Sequence, residues 1–180
     1  MNTYELFGLS AICLLCLLLI IVLYLWPQEQ GRHLTFSHHA ASSRNATVFY
    51  AFIFALTLPV LAWVTASYLT PKYQLDALAT IIISLATLLQ IACTLFPLRG
   101  RTTRIHHTLA LSSAGLLWIL LLNFGHYGTL PVVVIQLIWI VVVGMLAVAV
   151  VGLFHRRYAL WYQIAYYLMF FAAYIAILVS

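Results

Sequence analysis

Six long apolar runs, each parted from the next by a short polar connection, constrain this chain more than any other feature. A run of about 20 apolar residues is the length of a helix that crosses a bilayer. The runs predict helices over about 6–26, 46–69, 75–96, 107–123, 130–154 and 158–179. Of the 180 residues, 66% are hydrophobic and only 6% are charged, a balance that soluble domains do not carry. The expected fold is therefore all-α: a polytopic membrane protein built as one six-helix bundle over residues 1–180, with no extramembrane domain.

The stretch Phe96-Pro97-Leu98-Arg99-Gly100-Arg101-Thr102-Thr103-Arg104-Ile105-His106-His107 orients the bundle. Arginine is costly in hydrocarbon, and short basic loops favour the cytoplasmic side. The connections after the first, third and fifth runs hold Arg32, Arg44, Arg99, Arg101, Arg104, Arg156 and Arg157, and the opposite side holds only Lys72. That asymmetry predicts cytoplasmic arginines, both termini outside and, as location, the bacterial cytoplasmic membrane. The N-terminus lacks the basic region of a signal peptide, so the first run reads as a retained helix ending at Trp26-Pro27.

Along the chain, Pro59 should kink the second helix, with Thr57 and Thr65 placed to satisfy the carbonyls it frees. A tight turn is expected at Thr70-Pro71-Lys72, and Asp76 reads as an N-cap or first-turn residue of the third helix. The patch Ser112-Ser113-Ala114-Gly115 suits close approach of another helix. Gly125 and Gly128 mark a connection before Pro131 opens the fifth helix. In the sixth helix Tyr158, Tyr162, Tyr166, Phe170 and Tyr174 recur every four residues, either as packing or as the wall of a lipid groove. Gln90, Gln136, Gln163 and Asn123 are amides for interhelical hydrogen bonds or for a cavity.

The candidate chemistry lies at the arginine end, where six of the seven histidines fall: His33, His38, His39, His106, His107 and His155. Histidine beside arginine can hold a phosphate or lipid headgroup, ligate a metal or haem, or pass protons. A bis-histidine haem is disfavoured, because a two-haem carrier needs a second pair at the far side and only His126 is there. Zinc held by His38, His39, His106 and His155 is disfavoured as well, for want of a metalloprotease spacing and a neighbouring carboxylate. Cys13 and Cys16 have redox spacing, but Cys93 stands alone, so no relay of cysteine pairs is available. No cofactor and no metal is therefore expected. Nucleic acid is excluded as a partner because the basic residues sit in loops and form no exposed stripe.

Two blocks carry a resemblance: Ser37-His38-His39-Ala40-Ala41 with Asn45 and Phe49, and Phe96-Pro97 with Arg104 and His106-His107. They resemble the DUF998 family of six-helix membrane proteins, and the Frag1/DRAM/Sfk1 group is similar in layout. The resemblance implies a polar site where the first and third connections meet, with Ser37, His38, Asn45, Pro97, Arg104 and His107 as its positions, and it implies no activity. The ligand-binding set expected from both arguments is Ser37, His38, His39, Asn45, Arg99, Arg101, Arg104, His106, His107, His155 and Arg156. The preferred reading is a non-catalytic bundle that binds a lipid or other amphiphile, with anionic headgroups as partners, or an accessory subunit beside partner membrane subunits. The alternative is a membrane enzyme acting on a phosphate-bearing lipid through these histidines and arginines, and a b-type haem electron carrier comes third.

Overall fold

The computed structural model describes residues 1–28, 34–96, 98, 100 and 102–180, the side chains of Leu153 and Arg156 excepted. Its helices are α1 (Thr3–Leu25), α2 (Phe36–Ala40), α3 (Arg44–Val64), α4 (Ala77–Leu95), α5 (Thr102–Tyr127), α6 (Val132–Phe154) and α7 (Ala159–Val179). A π-helical turn (Thr65–Leu69) and a final helical turn (Thr70–Lys72) carry α3 onward. Among the described residues there is no strand. Six helices are long and apolar enough to cross a membrane, as expected for a multi-pass membrane protein. Neighbours in sequence pack side by side: α1 on α3, α3 on α4, α4 on α5, α5 on α6 and α6 on α7, with α7 returning to α1.

Several boundaries differ from the sequence reading. The fourth spanning helix covers Thr102–Tyr127 and not 107–123, because its basic first turns remain helical and Gly125 lies inside it. Helix α3 runs through Thr70-Pro71-Lys72, so the turn falls one step later, at Tyr73 and Gln74, where Gln74 adopts φ 56°. Pro71 can donate no bond of its own, and the chain closes the turn past it through the Tyr73 N–H to Leu69 O at 3.0 Å and the Leu75 N–H to Thr70 O at 2.9 Å. Thr57 and Thr65 donate to Ile53 O and Leu61 O at 2.8 Å, so neither serves the Ala55 carbonyl that Pro59 deprives of its donor. The short helix α2 was not anticipated at all.

Lipid tails are as apolar as leucine, so packing and hydrogen bonds must hold such a bundle together. The cross-helix bonds run mostly to backbone carbonyls. Tyr174 Oη donates to Leu61 O at 3.1 Å, Tyr73 Oη to Ile177 O at 2.7 Å, Ser113 Oγ to Ala86 O at 3.0 Å and Trp118 Nε1 to Val142 O at 3.0 Å. Each is worth about 0.6–2 kcal/mol in such a setting. Ser113 thus uses the small-residue patch as expected, whereas Gly115 faces open space.

Burial along α7 is uneven, and this creates the site. Phe170, Phe171, Ala173, Tyr174, Ile177 and Leu178 are buried, all of them in its second half. The first half, nearer the arginine end, is only partly covered. A groove remains there between α5, α6 and α7.

Candidate functional site

The groove encloses about 330 Å³, near the lower end of the range for small-molecule sites. On α5 its wall is His107, Ala110, Leu111 and Ala114, a recurrence at three and four residues that places them on one face. Val148, Ala149 and Gly152 of α6 and Tyr162, Gln163, Tyr166 and Tyr167 of α7 complete it. Small residues make the room: a Cβ on Gly152 would stand 3.4 Å from the Tyr162 ring. Tyr166 Oη donates to Ala114 O at 2.6 Å, bridging the groove's two long walls. The tyrosine file therefore divides, with Tyr162 and Tyr166 lining the groove and Phe170 and Tyr174 packed in the core.

One end of the groove is closed by the first connection, through Thr35 and Ser37, and by His106. Gln163 Oε1 accepts the Phe36 N–H at 3.0 Å, which ties α2 to α7. Helix α2 starts with a reciprocal cap in which the Thr35 N–H donates to His38 Nδ1 at 3.2 Å and the Thr35 hydroxyl lies 2.9 Å from the same nitrogen. In this geometry Nδ1 is an acceptor, so the ring is neutral. Burial, followed by the charges of His107, His106 and His39, holds His38 below the ordinary histidine pKa.

The other histidines of this end have separate duties. His39 is 3% exposed and its Nδ1 donates to Trp26 O at 2.9 Å, anchoring α2 to the end of α1. His106, also 3% exposed, places Nδ1 2.8 Å from Phe96 O and 3.0 Å from Cys93 O. Carbonyls accept only, so Nδ1 carries the proton and the ring caps the C-terminus of α4. Cys93 Sγ lies 3.3 Å from that nitrogen and 3.5 Å from both Nε2 and the His106 carbonyl; a protonated Nδ1 cannot accept from the thiol, and Nε2 and the carbonyl can. His107 is exposed at the groove's edge.

Of the expected ligand set, the structure gathers Ser37, His106 and His107 at one end of the groove, with His38 and His39 on the adjoining helix. Asn45, Arg104 and His155 are exposed and line no part of it. Arg99, Arg101 and Pro97 lie outside the described residues, as do Arg32, His33 and the side chain of Arg156. Among the described residues no three of His, Cys, Asp and Glu stand close enough to hold a metal ion. Asp76 is the N-cap of α4, accepting the Leu78 N–H at 3.0 Å. Thr35 and Gly152 were not singled out as site residues in the sequence, whereas Tyr162 and Tyr166 belong to the file read there as packing or as the wall of a lipid groove. Thr35-x-x-His38 did carry a signal, since it has the spacing of a capping box with histidine in the place of glutamine. No family model, no curated protein and no solved structure matches this chain.

Proposed function

We propose that the chain binds a single-chain amphiphile, whose acyl or isoprenoid chain lies in the groove of α5, α6 and α7 and whose headgroup sits beside Ser37 and His107. The observation that carries this reading is the groove itself: a 330 Å³ space with apolar walls and polar groups gathered at one end. The arginine-rich side supplies the charge for an anionic headgroup, with Arg104 one turn before His107 on the same helix. On this reading the arginine end faces the cytoplasm, and the DUF998-like layout describes a binding site and not a reaction.

Native mass spectrometry of the protein released from its own membrane tests the proposal. The expected result is a retained amphiphile that is lost in Gly152→Phe, whose ring fills the groove, and weakened in His107→Ala. Retention of the same mass by Gly152→Phe at undiminished occupancy would place the ligand elsewhere and overturn it.

A further inference from the structure

Behind the closed end of the groove lies a second, separate void of about 10 Å³, bounded by Ser37 of α2, Thr47 and Tyr50 of α3, Thr94 of α4 and His106 of α5. It is the size of one water. The Tyr50 side chain is 2% exposed and its hydroxyl has no hydrogen-bond partner, although Ser37 stands beside it. A buried hydroxyl left in this state costs free energy, and native interiors rarely leave one.

The rest of the wall is complementary to a single oxygen that donates twice. Thr47 Oγ1 gives its proton to Ala40 O or Ser43 O at 3.0 Å, and Thr94 Oγ1 gives its own to Ile91 O at 2.7 Å. Both oxygens keep lone pairs. With the His106 proton on Nδ1, its Nε2 is an acceptor too, with the weakly donating Cys93 thiol 3.5 Å away. The wall thus offers the Tyr50 hydroxyl, a second hydroxyl at Ser37 and several acceptors, a pattern that a hydroxyl or a water satisfies and that a cation or an anion does not.

We propose that this void is a binding site for one hydroxyl-type oxygen, held by Tyr50 and locking α2 against α3, α4 and α5. Ser37 and His106 border both the void and the groove, so the oxygen is either a water or the hydroxyl of an amphiphile in the groove. Only the second source rests on the proposed binding function.

The test is thermal unfolding of the full-length protein in detergent, for wild type and Tyr50→Phe, each also in a Ser37→Ala background. With the oxygen bound, Tyr50→Phe lowers the midpoint by about 2–6 °C in both backgrounds. An unchanged or raised midpoint means a dry void, where losing the orphaned hydroxyl is harmless, and overturns the proposal. Adding 1-dodecanol or dodecane then separates the sources. Greater stabilisation by the alcohol, with the excess lost in Tyr50→Phe, assigns the oxygen to a ligand. Equal effects of the two probes, with Tyr50→Phe still destabilised, assign it to water. If the groove binds no amphiphile, neither probe acts on wild type or on Gly152→Phe, while the midpoint drop of Tyr50→Phe remains.

Discussion

Three histidines within seventy residues of one another, His38, His39 and His106, share one end of the bundle and do three different things, each decided by what stands opposite a ring nitrogen. His38 is the one that pH should move. Its pKa is lowered on folding, so between the folded value and the ordinary 6.5 the unfolded chain binds more protons. Stability from the Thr35–His38 cap is therefore complete above that window and lost as pH falls through it. Hydrogen exchange at the Thr35 and Phe36 amides, corrected for the intrinsic rate, should be faster at pH 5 than at pH 7.5. His38→Gln keeps an acceptor at the capping position and should flatten the dependence. The cluster of histidines was plain in the sequence, and so was its end of the molecule. Which nitrogen is spent on a carbonyl was not, because His106 caps a helix through Phe96, ten residues earlier, and His39 reaches back to Trp26. Such partners belong to the path of the chain in space.

Among the elements, α4 shows how a charged residue at a membrane helix is explained by local chemistry. Asp76 sits at the N-cap with extended backbone and accepts the Leu78 N–H. Asp76→Ala should cost about 1 kcal/mol in stability, and Asp76→Asn only a few tenths, since asparagine caps as well. Denaturation in mild detergent checks both; a large loss with asparagine would demand a role for the charge itself. Spacing and residue type were enough to read this cap. The same rules missed the length of α5, because a helix that projects beyond hydrocarbon keeps its hydrogen bonds through polar turns, and hydropathy marks only the part in lipid. They missed α2 too: a five-residue helix is marginal on its own and is held by Gln163 from the far end of the chain.

For the whole molecule, the charge asymmetry predicts a sidedness that labelling can read. A membrane-impermeant thiol reagent on intact cells should modify Gln74→Cys and spare Asn45→Cys, both positions being exposed at opposite ends of α3. The converse would invert the topology. By itself the sequence determined the six spanning helices, the end at which arginine and histidine gather and the caps written into neighbouring residues, because the length of an apolar run and the cost of a charge in lipid are local quantities. Only the tertiary structure decided the groove and the Tyr50 void. In a helix apolar on every side, lipid and protein interior look alike to the sequence. The packing of α7's second half against α1 and α3, while its first half meets α5 and α6 across the groove, was settled by contacts between spans far apart in the sequence.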